Sequence, residues 1–105
     1  SRAILNGTNV YGAGFSLFGT LPSTSVAATL NADGSRAYTY DSDAGALRVF
    51  DISESQNGGA YSALGSPIAL AGDPGANPRM TISPDGNTLF IAGSTQLIVQ
   101  PTPDL

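Results

Sequence analysis

"ISPDGNTLFIAG", residues 82–93, sets an Asp-Gly step between two apolar runs. Fifty-two residues earlier the chain reads "LNADGSRAYTYD", residues 30–41. Leu30 aligns with Ile82, Asp33 with Asp85, Gly34 with Gly86, Ser35 with Asn87, Ala37 with Leu89 and Tyr38 with Phe90. Farther on, "ALRVFD" (46–51) aligns with "QLIVQP" (96–101), the spacing having shortened by two residues. A period of about 50 residues is the length of one supersecondary unit. The Asp-Gly steps have a local cause. Two strands joined by a tight turn need φ > 0 near the turn's end, which Gly supplies without steric cost. Asp can accept a bond from its own backbone, and Pro84 presets φ. Turn chemistry therefore accounts for Asp33, Gly34, Asp85 and Gly86, which are read as structural.

Helix is hard to find along this chain, because every window with helical apolar spacing is broken by Gly or Pro. Short apolar stretches bounded by turn residues recur instead. One four-stranded unit is expected, with strands near 25–31, 36–41, 46–52 and 62–71. Pro67 places the last of these at a sheet edge. A second unit is expected near 79–83, 88–92 and 96–100, without a fourth strand. Residues 3–21 hold two or three further strands, with an Asn6-Gly7 turn. Leu89–Ala92 are consecutive and apolar, as are Ile98 and Val99, while Leu47, Val49 and Phe50 are interrupted only by Arg48. A strand with one wet face alternates. These do not, so both of their faces are expected to be covered.

The totals narrow the function classes. The 105 residues suffice for one ordinary domain. Charge is sparse, with four Arg, no Lys, seven Asp and one Glu, for a net charge of −4. That balance argues against nucleic acid and against anionic membrane surfaces, which call for basic patches. No apolar run approaches the roughly 18 residues that span a bilayer. No basic-then-apolar leader opens the chain, so a targeting segment is expected to be absent or already removed. There is no Cys, hence no disulfide, thiolate metal site or cysteine nucleophile. There is no His, which removes the usual base near neutral pH and the commonest metal ligand. Most hydrolase triads are thereby excluded within this chain.

"SPDGNTLFIA" (83–92) resembles the blade motif of YVTN-type and lactonase-like β-propellers, and of related repeats in bacterial surface and periplasmic proteins. "NADGSRAYTY" (31–40) resembles it more weakly, lacking the Pro and carrying Ala37 where the motif prefers a large apolar residue. "LRVFDI" (47–52) is similar to the third strand of such a blade. The resemblance spans roughly residues 25–100. It implies an all-β chain, a β-propeller segment of roughly two four-stranded antiparallel blades, incomplete at both ends. On that reading residues 1–22 end a preceding blade, 23–74 form one full blade, 75–101 an incomplete blade and 102–105 a tail. The alternative is a small self-contained β-sandwich. Propellers host unrelated activities. No catalytic residue can be placed by motif, so none is carried over.

Successive connections of a meander alternate between its two ends. The turns at Asp33-Gly34 and Asp85-Gly86 then share one end with the loop 53–61. The loops 41–46 and 93–96 share the other end with the connection 72–79. Propeller ligands commonly bind at that second end, so Asp41, Asp43, Asp73, Asn77 and Arg79 are the candidate ligand-binding residues. Asp41 and Asp43, two apart and followed by Gly45, are also weak candidates for calcium. Two carboxylates fall short of the six or more oxygens calcium prefers, so a polar hairpin is the expected reading. No metal and no cofactor is expected. A general acid–base pair at these two Asp lacks any sign of burial to raise a pKa. Arg79 can hold an anion or carboxylate, though a solvated rim position is the commoner fate of such an arginine. Tyr11, Tyr38, Tyr40 and Tyr61 can line a sugar or peptide site, but more often pack between sheets. Asn6-Gly7-Thr8 fits the N-glycosylation pattern, a short pattern that arises often by chance.

Three readings of function follow. The first is a non-enzymatic binding or structural propeller segment of an extracytoplasmic (periplasmic, secreted or cell-surface) bacterial protein. The second is part of a lactonase-like hydrolase whose catalytic residues lie outside this chain. The third is a two-blade lectin that completes its ring by oligomerising, which the lack of Trp disfavours. The expected partners are the remaining blades, in the same longer chain or in further copies, and an unknown protein or small-molecule ligand. A 105-residue monomer that is closed and well folded is not expected.

Overall fold

The computed structural model describes residues 3–5, 9–11, 17–21, 25–31, 33–42, 45–54, 56–70 and 72–103. The Asn6-Gly7 turn with Thr8, residue Asp43 and the last two residues of the tail lie outside the described residues. Among those described, every regular element is a strand. The strands are β1 Ala3–Leu5, β2 Asn9–Tyr11, β3 Leu17–Thr20, β4 Ser25–Leu30, β5 Arg36–Asp41, β6 Ala46–Asp51, β7 Ala63–Ala69, β8 Arg79–Ile82, β9 Thr88–Ala92 and β10 Leu97–Pro101. No helix among the described residues is long and apolar enough to cross a membrane.

The strands form three antiparallel meanders in chain order: a first sheet β1-β2-β3, a central sheet β4-β5-β6-β7, and a third sheet β8-β9-β10. β7, with Pro67 inside it, is an edge strand of the central sheet, where a residue without an N–H breaks no ladder on its open side. In the central sheet Tyr38 stands across from Val49 and Tyr40 from Leu47, while Ala37 faces Phe50 and Thr39 faces Arg48. In the third sheet Leu97, Ile98 and Val99 stand across from Ala92, Ile91 and Phe90.

Because side chains alternate across a strand, each register assigns a face. One face of the central sheet carries Ala27, Tyr38, Tyr40, Leu47 and Val49, with Leu64 and Ile68 partly buried beside them. It packs on Leu89, Ile91 and Ile98 of the third sheet, with Met80 and Ile82. β4 and β8, the first strands of these two sheets, run side by side. The opposite face packs Ala37, Phe50 and Ile52 with Leu21 and Tyr61, flanked by Ala28 and Leu30. Leu21 directly follows β3, Thr20 bridges to Ala60, and β1 touches β4, so the first sheet meets the central sheet on this side. Each fully buried side chain of the Leu47 or Phe50 kind contributes about 1.5–3 kcal/mol by leaving water.

The expectation of two covered faces holds for part of the chain. Residues 37–41 of β5 are buried without a break, and in β6 only Arg48 and Asp51 are not. It does not hold for β9 and β10, whose burial alternates. Leu89, Ile91 and Ile98 are buried, whereas Ala92, Leu97 and Val99 are exposed. The apolar run at 89–92 therefore has one face against the central sheet and one face turned outward.

Candidate functional site

At one end of the meanders stand the two Asp-Gly turns, which are hydrogen-bonded alike. Gly34 N–H donates to the Asn31 carbonyl (3.1 Å), and Gly86 N–H to the Ser83 carbonyl (2.9 Å). Asn31 N–H donates to the Arg36 carbonyl, and Ser83 N–H to that of Thr88. Asn31 Oδ1 accepts from Arg36 N–H (3.0 Å), and Ser83 Oγ from Thr88 N–H (3.1 Å). Asp33 Oδ1 accepts from Ser35 N–H (2.9 Å), and Asp85 Oδ1 from Asn87 N–H (3.0 Å). Ile52 N–H closes onto the Ser35 carbonyl, and Thr102 N–H onto that of Asn87. Gly34 and Gly86 sit at φ 74° and 78°, in the left-handed region the turn requires.

The carboxylates at this end are acceptors held by neighbouring hydroxyl and amide groups. The Ser35 hydroxyl (2.6 Å) and then the Ser35 amide hold Asp33 below the usual carboxylate value. The Ser53 hydroxyl (2.7 Å) and amide do the same for Asp51. The Ser83 hydroxyl, then the Asn87 amide, lower Asp85. Groups poised in this direction stay ionised near neutral pH, which suits accepting hydrogen bonds and not donating protons.

Two hollows open here. One of about 520 Å³ lies between the turns and is lined by Asn31, Arg36, Tyr38, Gly86, Asn87, Thr102 and Pro103. The Thr102 Oγ1 is buried without a hydrogen-bond partner, so a ligand group or a water would satisfy it. Burial raises the Tyr38 phenol above its usual value, with Arg36 opposing. The second hollow, about 370 Å³, is acidic and is lined by Asp51, Ser53, Glu54 and Gln56 beside Tyr61, Ser62 and Leu64.

The other end carries the residues that the sequence nominated for a ligand. The connection 72–78 packs on the loop 93–96. Thr95 N–H donates to the Pro74 carbonyl (2.9 Å), and Ala76 N–H to Ser94 Oγ (2.9 Å). Gln96 Nε2 donates to the Asp73 carbonyl (2.9 Å). Asp73 is exposed and its Oδ1 accepts from Gly75 N–H (2.9 Å). Asn77 is exposed at φ 52°, a conformation Asn tolerates better than most residues. Arg79 is exposed at the start of β8, across from Ala92.

Asp41 is a different case. It is buried at the end of β5, and Arg48 Nη1 donates to its Oδ2 at 3.0 Å. Thr39, across from Arg48 on the same face, is fully buried with its Oγ1 unpartnered. The ion pair lets a charged group stand on a face that closes against the first sheet. Burial raises the Tyr40 phenol, with the negative charges of Asp73 and Asp41 adding to the shift. No group of three metal-ligating side chains occurs among the described residues.

The turn-end hollow with Asn31, Arg36, Asn87 and Thr102 was not singled out from the sequence. Its one legible cue was that Arg36, one of four cations in the chain, directly follows an Asp-Gly turn. No protein-family model matches this chain, and no curated protein is similar to it.

Proposed function

We propose that the chain is a non-enzymatic binding or structural segment of a β-propeller of the YVTN or lactonase-like type, in an extracytoplasmic protein. One observation carries the architectural part. Consecutive antiparallel meanders stack face to face in chain order with their first strands, β4 and β8, side by side. Strands stacked as successive blades around an axis have this arrangement. The shared pattern of main-chain N–H hydrogen bonds in the turns at Gly34 and Gly86 supports treating the two sheets as copies of one unit.

The polar side chains at both ends are hydrogen-bonding groups of the kind that binding uses. The turn-end carboxylates are held ionised by hydroxyl and amide donors, and Asp41 is tied to Arg48. Asp73, Asn77 and Arg79 are exposed at one end, and a hollow lined by Asn31, Arg36, Asn87 and Thr102 opens at the other. The partners on this reading are further blades, in the same chain or in other copies.

A screen of sugar lactones, with and without divalent metal, tests the catalytic half. No turnover above the uncatalysed rate is expected, and metal-dependent lactone hydrolysis would sink the non-enzymatic reading. The length of the natural gene product tests the architecture. About four to six further copies of the "SPDG" stretch are expected, the number that brings two units up to a closed ring.

A further inference from the structure

The loop between β6 and β7 places Asn57 directly before Gly58. Gly59 N–H donates to the Gln56 carbonyl (2.9 Å), and Asn57 and Gly58 sit at φ 54° and 84°. Two central residues at positive φ make this a tight turn of the primed kind that Asn-Gly favours. Asn57 is exposed, and among the described residues the Gly58 N–H has no acceptor. Glycine brings no Cβ to crowd that nitrogen's approach to the preceding side-chain amide.

The other described asparagines are each worse placed for the chemistry that an Asn-Gly step invites. Asn77 precedes Pro78, which has no N–H. The Thr88 N–H that follows Asn87 is held by Ser83 Oγ (3.1 Å). Asn31 Oδ1 accepts from Arg36 N–H (3.0 Å), and its Nδ2 donates to Ser35 Oγ (3.1 Å). Asn9 precedes the β-branched Val10 within β2, the middle strand of its sheet. Among the described residues, Asn57 alone joins an exposed amide to an uncrowded glycine nitrogen.

We propose that Asn57 is a self-modification site, converting to isoaspartate, and that this conversion loosens the seam between the first and central sheets. Gly58 N gives its proton to solvent and attacks Asn57 Cγ. The new C–N bond closes a succinimide ring as the Cγ–Nδ2 bond breaks, and the departing nitrogen takes up a proton and leaves as ammonia. Water then opens the ring. Opening at the former main-chain carbonyl routes the chain through the side chain of residue 57 as isoaspartate, and opening at Cγ gives aspartate. Water enters, ammonia leaves and no electron is transferred. Either product adds a negative charge in a loop whose hollow is already lined by Asp51 and Glu54. Isoaspartate also lengthens the main chain by a methylene just before Gly59, whose carbonyl accepts from Thr20 N–H (2.9 Å). Tyr61 N–H donates back to the Thr20 carbonyl (2.9 Å). The Tyr61 ring lies so close to Gly19 that a Cβ there would overlap it. A seam fitted this closely has no slack for a longer turn.

Ageing the 105-residue chain in mildly alkaline buffer, beside a free peptide of residues 53–61, tests this. Peptide mapping is expected to find isoaspartate at residue 57, forming within roughly tenfold of its rate in the peptide, since an exposed turn opens readily. Gly58→Ala is expected to slow the conversion roughly tenfold or more, because its methyl group crowds the nitrogen. The urea midpoint is expected to fall in the aged chain, to fall less in Asn57→Asp, which adds the charge without the methylene, and to hold in aged Asn57→Gln. Conversion in the peptide but not in the folded chain overturns the site. An aged chain with the parent's midpoint overturns the effect on the seam, and an equal fall in aged Asn57→Gln does so by placing the cause at another residue such as Asn6. An Asn57→Asp midpoint as low as that of the aged chain overturns the role of the lengthened main chain and leaves charge as the cause.

Discussion

Leu47 and Leu97 stand at matching places in two sheets, yet one is 1% exposed and the other 55%. Their strands are similarly apolar, their turns are bonded in the same pattern, and both sheets are antiparallel meanders. What separates them is position in the stack. The central sheet lies between two others and buries both faces, whereas the third sheet buries one. A face becomes core through its neighbour, not through its own composition. The same residue type therefore carries a different energetic weight at the two sites.

Paired truncations put the largest effect on this difference. Leu47→Ala is expected to cost about 2–5 kcal/mol, as the removed atoms leave a cavity that its neighbours fill only partly. Leu97→Ala is expected to stay within about 0.5 kcal/mol at concentrations where the chain is monomeric. Urea unfolding of both measures the gap, and equal losses would mean that the third sheet has a covered outer face in solution.

Next in size is the Asp41–Arg48 pair, a device present on the central sheet and replaced by Ile98 at the place of Arg48 in the third. Arg48→Met leaves the Asp41 carboxylate buried without its guanidinium. Breaking a fully buried pair costs about 3–5 kcal/mol, and partial exposure of Arg48 brings the expected loss down to about 2 kcal/mol. If Arg48→Met unfolds at the parent's urea midpoint, the pair is not holding the interface with the first sheet.

The turns should behave as twins. Gly34→Val and Gly86→Val are each expected to cost about 1–2 kcal/mol, because both glycines occupy the left-handed region. A Cβ at Gly86 would meet nothing within 4 Å, so at that site the penalty is conformational and not steric. Unequal midpoint shifts for the two variants would break the equivalence of the sheets at its most local level.

The smallest effect is electrostatic. Asp33, Asp51 and Asp85 have folded-state pKa values below the ordinary 3.8. A depressed value means that the folded state favours the ionised form. That stabilisation is fully present above the unfolded value and fades as pH falls through the lower folded one. All three groups are exposed, so solvent and salt screen the effect. Carboxyl NMR titration is expected to place Asp33 and Asp85 on the same side of the ordinary value. Either one titrating above it would separate the two turns.

Much of the fold was legible in the residues. Asp33-Gly34 and Asp85-Gly86 marked two tight turns because φ > 0 and Asx bonding are local requirements. Gly and Pro spacing excluded helix, and Pro67 marked an edge because a missing N–H is tolerated there. The candidate site was less legible. Asp41 looked like a loop carboxylate beside Asp43, and nothing in "DSDAG" announces an Arg48 partner seven residues on in the facing strand. Asn31, Arg36, Asn87 and Thr102 line one hollow only because two turns far apart in sequence are stacked together.

The sequence by itself determined the strands of the central and third sheets and their two Asp-Gly turns. Those depend on side-chain alternation, on glycine at left-handed positions and on hydrogen bonds between residues a few places apart. Only the tertiary structure decided which apolar faces are core, since Leu89 and Val99 are equally apolar and differ in what lies across from them. Hydrophobic burial is a property of a pair of surfaces, and the second surface comes from a distant part of the chain or from outside it.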